Sequence, residues 1–195
     1  NLEIATAIEC EGPEDQMAPL VSSVLYFLLS SVETGQKTVS ESVDWLRRRS
    51  GWLIDTPPNG QPVQREDGSW IGFFHSGGEQ TICAQFVTAI GSETIEHLAV
   101  ISPYWDKDLR ALSALSDTLP GTPRVSIIID PDAGLFPVDA LGAFDDIVIK
   151  NANQISNVEN GSRFAHAKVI IASGPENDHV LTGSANCTFA GLGLP

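Results

Sequence analysis

Basic residues are scarce in this chain. Its 195 residues include 11 Lys and Arg against 25 Asp and Glu, a formal charge of −14. Nucleic-acid binders usually present a basic face, because phosphate contacts dominate their affinity. Here the only basic cluster is Arg47-Arg48-Arg49. This balance counts against tight non-specific binding to polyanions and suits an enzyme that must avoid it. Cysteine is scarce as well. Cys10, Cys83 and Cys187 are odd in number and lack CxxC spacing, which argues against both a disulfide framework and a zinc site. A reducing, cytoplasmic setting is therefore the expectation. Long apolar runs are missing. The nearest, Leu20–Ser31, is shorter than the roughly 18–20 residues that span a bilayer and holds several serines, so no stable membrane anchor is expected. The acidic residues show no tight spacing that would hold a metal, and no cofactor is expected. Internal repeats and low-complexity tracts are absent.

A hydrophobic fraction of 42% is ordinary for a packed globular protein and too high for a disordered chain. Asn1 is not an initiator Met, and the chain stops at Leu194-Pro195 just after a new element begins at Thr188. It is expected to be a piece of a longer protein, truncated at the C-terminus.

Leu2–Ile8 alternates loosely, as a strand would. Gln16–Ser31 has apolar residues at helical spacing. Val39–Arg49 reads as a second helix, opened by a capping box of Thr38 and Glu41. Thr56–Ser69 is rich in Pro, Gly and polar residues, a linker. The expected division is an N-terminal extension, 1–60, and a main domain, 70–195. In the main domain, predicted strands Trp70–His75, His97–Ser102, Val125–Asp130, Ile147–Ile149, Ala167–Ala172 and His179–Thr182 interleave with helices. The helices are Glu79–Ile90, Asp106–Leu119 and a short Val138–Phe144. The β-branched run Val125–Asp130 marks a strand buried on both faces. This order implies an α/β fold, a mixed β-sheet flanked by helices on both faces.

Chemistry concentrates near the C-terminus. His166 and Lys168 stand two apart in Phe164-Ala165-His166-Ala167-Lys168-Val169-Ile170-Ile171-Ala172. On a strand, both side chains leave the same face. A His and a Lys converging in an apolar strand need a partner, and a phosphate would serve. Thr182-Gly183-Ser184-Ala185-Asn186-Cys187-Thr188 follows. It places a glycine, a hydroxyl and an amide at a strand end. Ser184 and Asn186 can donate to phosphate oxygens there, and Gly183 lets the backbone approach closely.

Together these segments resemble the phospholipase D superfamily: His-x-Lys on a strand, a hairpin, then Gly-Ser and a nearby Asn. The Gly-Ser-x-Asn-x-Thr ending is similar to the bacterial nuclease branch. Upstream, Leu98–Asp106, a Leu-rich helix and Val125–Asp130 resemble the strand–helix–strand half of that fold. The likeness covers roughly 70–195. It has no counterpart for 1–60. Ser173 stands where the family pattern has an Asp, and the span from Lys168 to Gly183 is longer than in that pattern, which leaves Asp178 as a candidate replacement acid.

The resemblance implies a metal-independent phosphodiesterase. One His attacks phosphorus and forms a phosphohistidine, a second His protonates the leaving oxygen, and water resolves the intermediate. Carried over, His166 is the nucleophile or the acid, while Lys168, Ser184 and Asn186 hold the phosphate. The chain has one such motif. Neither His75, His97 nor His179 has a Lys two residues on, although His75 is a candidate lining residue. The second half-site must come from a homodimer partner or from a further half of the intact protein. Nucleic acid ranks above lipid as the phosphodiester substrate, with Trp45, Trp52, Trp70 and Trp105 available to stack on bases. The alternatives are a non-catalytic phosphate- or nucleic-acid-binding or assembly module, and a phospholipid-directed phosphodiesterase.

Overall fold

The computed structural model describes residues 6–31, 37–56, 58–131, 136–144, 146–152 and 166–194, without the side chains of 37–39 and 143. The chain divides between Gly77 and Gly78 into two compact units.

The N-terminal unit, Thr6–Gly77, is mainly helical. Helix α1, Ala18–Ser31, buries Ala18, Leu20, Ser22 and Leu25. The Asp15 carboxylate precedes it and accepts the Met17 and Glu11 amides. Helix α2 spans Lys37–Arg49 and α3 spans Gly51–Asp55. The Ser22 hydroxyl faces the carbonyls of Leu53 and Thr56, which ties the end of α3 to α1. The expected linker holds structure of its own. Strands β1, Val63–Gln64, and β2, Trp70–Ile71, pair antiparallel around a turn with Gly68 at φ 85°. Thr6–Ile8 are not a strand, and residues 1–5 of that expected element lie outside the described residues. The Thr38 side chain of the expected capping box lies outside them too.

The C-terminal unit, from Gly78 onward, is an α/β fold built on a five-stranded mixed sheet. Helix α4, Ile82–Ile90, starts where the Thr81 hydroxyl accepts the Ala84 amide, three residues later than the expected Glu79. Strand β3, His97–Ile101, leads through helix α5, Arg110–Thr118, to β4, Arg124–Ile129. A 3-10 helix, Val138–Ala143, precedes β5, Ile147–Asn151. Strands β6, Val169–Ser173, and β7, Asp178–Thr182, form a hairpin, and a last turn of helix, α6, covers Phe189–Leu192.

The strand order is β5-β4-β3-β6-β7. The first three run parallel, and β6 and β7 alternate against them. The centre of the sheet is dry: Leu98, Val100, Ile127, Val169, Ile170 and Ala172 are buried. Leu109, Leu112 and Leu115 of the α5 segment are at most 1% exposed. Truncating such a leucine to Ala typically costs about 2–5 kcal/mol. Helix α5 starts later than the expected Asp106, because Leu109 takes a left-handed conformation at φ 54° and Asp106 turns back to cap. Among the described residues, no helix is long and apolar enough to cross a membrane.

Candidate phosphate-binding site

Parallel strands bring their carboxyl ends together, and ligands of open α/β sheets bind there. The register makes this end explicit. Ile101 of β3 pairs with Ile128 of β4 and with Val169 of β6, and Val169 pairs with Thr182 of β7. The residues just beyond that rung are Ser102, Lys168 and Gly183. His166-Ala167-Lys168 and Gly183-Ser184-Ala185-Asn186 therefore leave the sheet side by side.

His166 and Lys168 lie just before β6 rather than on it. The ladder stops at Val169 because its partner strand ends at Ile101 and Pro103, which follows Ser102, has no amide to offer. The expected alternation persists: Ala167 is buried, and His166 and Lys168 are half-buried. The Lys168 ammonium lies 3.2 and 3.3 Å from the two ring nitrogens of His166 and donates to the His166 carbonyl at 2.9 Å. An ammonium can only donate, and one nearly equidistant from both ring nitrogens lies over the ring rather than along either nitrogen's in-plane direction. Lys168 has no carboxylate partner among the described residues.

Ser184 is exposed, and its hydroxyl makes no hydrogen bond among the described residues. Asn186 is half-buried, and its Oδ1 is fully covered without a hydrogen-bond partner among them. A covered acceptor left unpaired costs about 1–3 kcal/mol. No hydrogen bond among the described residues joins Ser184 or the Asn186 side chain to His166 or Lys168. Gly183 has φ 153°, and a Cβ there would meet no atom of the described residues within 4 Å, so its backbone stands open among them.

The Gly-Ser-x-Asn segment is anchored largely by residues outside the two motifs. The Ser102 hydroxyl donates to the Tyr104 carbonyl at 2.7 Å and accepts the Cys187 amide at 3.0 Å. The Asp106 carboxylate accepts the Phe189 amide at 3.2 Å and the Ala111 amide at 3.0 Å. Trp105 and Cys187 form a parallel bridge. The Thr188 hydroxyl caps α6 at the Gly191 amide, and a Cβ on Gly191 would collide with the Asn186 backbone. The available signal was position: polar residues directly after a strand, an Asp before a helix, and a glycine inside the last turn.

Ser173 ends β6 at the far end of the sheet from His166, so the departure from the family pattern lies away from this cluster. Asp178 pairs with Ser173 there and is exposed. As a replacement acid it is therefore ruled out by distance along the hairpin, and Asp106 is the carboxylate bonded into the loop that holds Asn186. Of the other histidines, His97 and His179 lie at the far end of the sheet from His166. His75 belongs to the N-terminal unit, with its ring 4.6 Å from that of Phe27. His97 begins β3 and is exposed, and His179 meets Glu93 at 2.9 Å. Trp45 and Trp70 are exposed in the N-terminal unit, and Trp105 packs edge-on against Phe136. Cys187 lies within the motif, but burial first of all, with Asp106 and Cys83 nearby, pushes its thiol up to about 12. It is not a nucleophile at neutral pH. Among the described residues, no three His, Cys, Asp or Glu side chains gather as a metal site requires.

Comparisons of the chain with protein-family models, with curated proteins and with solved structures find no match.

Proposed function

We propose that the C-terminal unit is one half-site of a metal-independent phosphodiesterase of the phospholipase D type, acting on nucleic acid. The observation that supports it is the Lys168 ammonium, half-buried beside the His166 imidazole and lacking a carboxylate partner among the described residues. A phosphate group supplies the missing charge. The exposed Ser184 hydroxyl, the Asn186 amide and the open Gly183 backbone leave the sheet at the same rung. In the reaction, a His166 ring nitrogen attacks phosphorus in line and a P–N bond forms as the P–O bond breaks. A second imidazole gives its proton to the departing oxygen, and water then hydrolyses the phosphohistidine. Lys168 stabilises the charge on the phosphoryl oxygens, the work a divalent ion does elsewhere. That second imidazole comes from a homodimer partner or a further half of the intact protein.

The decisive measurement is trapping. Brief exposure to a phosphodiester labelled at phosphorus should leave an acid-labile, alkali-stable label on His166, undiminished by excess EDTA. Labelling that EDTA abolishes and magnesium restores points to a different mechanism. Robust cleavage by a strictly monomeric chain, shown by light scattering under assay conditions, defeats the two-motif requirement.

A second reading is a phosphate- or nucleic-acid-binding module without turnover. It is favoured by the ammonium lying within 3.3 Å of both His166 ring nitrogens, so that the cation and the imidazole already contact each other directly. Phosphate binding that is lost in Lys168→Ala, with no label ever appearing on His166, selects this reading.

A further inference from the structure

Tyr104 is the third residue past the end of β3, at the same end of the sheet as His166. Its ring centre lies 6.4 Å from that of His166, with the planes at 84°. The residue is 45% exposed, so a face of its ring is open to solvent beside the half-buried His–Lys pair. Its backbone is held. The Tyr104 carbonyl accepts the Ser102 hydroxyl, which also accepts the Cys187 amide, and the neighbouring Trp105 bridges to Cys187. The loop that presents the ring is thus pinned to the loop that presents Ser184 and Asn186. A ring on a fixed backbone, with only two side-chain torsions, loses little entropy when something stacks on it.

We infer that Tyr104 is a stacking platform for an unpaired nucleobase next to the phosphate held at His166 and Lys168, so that the site takes single-stranded rather than duplex nucleic acid. The inference rests on the phosphodiester reading of His166 and Lys168. The charge of the chain favours it over a purely ionic mode. At −14, the field of the protein opposes a long polyanion, and affinity for a strand must draw on a term that is not Coulombic. Base stacking on an aromatic ring is such a term, it tolerates any base, and it does not weaken with salt as phosphate contacts do. In a duplex both faces of each base are already stacked, and exposing one to Tyr104 requires unstacking it first. A phospholipid offers the phosphate without a planar neighbour and gains nothing from the ring.

The test is binding by the full chain, read as fluorescence anisotropy of a short dye-labelled single strand between about 50 and 200 mM salt. Inorganic phosphate, the matching duplex and anionic phospholipid vesicles serve as competitors. Tyr104→Ala should weaken single-strand binding about tenfold at every salt concentration and leave competition by phosphate unchanged. Tyr104→Phe, which keeps the ring, should bind as the native chain does and shows that the fold tolerates change at this position. Lys168→Ala should weaken both the strand and phosphate and flatten the salt dependence. Native affinity in Tyr104→Ala, alongside a loss in Lys168→Ala, overturns the stacking role and leaves the phosphodiester reading standing. Lys168→Ala with no effect on either ligand overturns that reading itself. Duplex or vesicles competing as well as single strand overturn the proposed selectivity.

Discussion

At one end of the five-stranded sheet, Glu93 gathers four partners. Its carboxylate accepts the Glu176 and Asn177 amides at 3.0 Å and the Asn177 side chain at 2.9 Å, and it meets His179 Nε2 at 2.9 Å. These bonds hold the β6–β7 turn, and a Cβ on Gly174 would run into the Glu93 side chain. At the other end, where β6 begins and β7 stops, Lys168 has no carboxylate partner and Asn186 Oδ1 no donor among the described residues. The same hairpin thus has one end closed by a carboxylate clamp and one where a half-buried cation has only uncharged partners among the described residues. A half-buried charge without a counter-charge is where an ion of opposite sign gains most. The comparison therefore predicts a division: changes at the closed end should alter stability, and changes at the open end should alter ligand chemistry.

The largest effect is expected at the open end. His166→Ala should reduce phosphodiester cleavage on the order of a thousandfold or more, as loss of a nucleophile does. Its unfolding free energy should change by less than about 1 kcal/mol, because the half-buried side chain contributes little packing. Parallel assays of turnover and urea unfolding check both halves of this statement. A large stability loss with turnover intact would erase the division between the two ends.

Between the ends lies the support of the open site. Gly191→Ala places a methyl group against the Asn186 backbone, and overpacking of this kind costs about 1–3 kcal/mol. Here stability and ligand binding should fall together, since Asn186 moves or the turn opens. Calorimetric Tm together with phosphate affinity measures the pair. A stable Gly191→Ala variant with native phosphate affinity would mean that this turn does not position the amide.

The sheet was far more legible in the sequence than the site was. Near-continuous β-branched runs such as Val125–Ile129 and Val169–Ile171 match their strands to within a residue or two, since branched side chains favour extended backbone. The expected burial of β4 on both faces is not met: Val125 and Ile127 are buried, while Ser126 and Ile128 between and after them are half-buried. Helix starts were harder. The expected start of α5 was Asp106, but the backbone turns left-handed at Leu109, a local event without hydrophobic signature. In the N-terminal unit, β1 and β2 are two residues each, too short to show alternation. At the site, spacing did bring His166 and Lys168 together, because parity along an extended chain is a local property. Ser102, Tyr104, Asp106 and Gly191 went unread. Their roles depend on contacts across 80 or more residues in the case of Ser102–Cys187 and Asp106–Phe189, and single-sequence spacing has no access to those.

The closed end makes a prediction about acid. Asn177 first, then His179 and the two backbone amides, hold the Glu93 carboxyl at about 2, below its usual 4.5. With the folded value depressed, the unfolded chain binds the proton first as pH falls. Stability from this group is therefore complete above about 4.5 and is lost on the way down to about 2. Tm measured across that window should fall more steeply in the native chain than in Glu93→Gln, which has no titrating carboxyl there. Neither variant should differ in phosphate affinity at neutral pH. Parallel Tm curves for the two proteins would show that the clamp contributes nothing to acid sensitivity.

The smallest expected effect tests whether the motif loop is closed from below while open from above. Cys187 sits between Asn186 and Thr188 yet is 2% exposed, and its thiol is raised to about 12 by burial, with Asp106 and Cys83 adding to it. At pH 8 only about one thiol in ten thousand would be ionised at that value, and the thiolate is the reactive form. Cys83 is equally covered and also raised by burial. Cys10, half-exposed near the start of the N-terminal unit, is the accessible thiol. Iodoacetamide on the native chain should therefore label Cys10, and should reach Cys83 and Cys187 only after denaturant is added, with peptide mapping to tell them apart. Saturating phosphate should change nothing, because a ligand above the Gly183–Asn186 backbone does not need the core beneath it to open. Rapid native labelling of Cys187 that phosphate suppresses would mean the opposite. The loop would then open as a unit, and the unsatisfied end of the sheet would be a moving element rather than a fixed cradle.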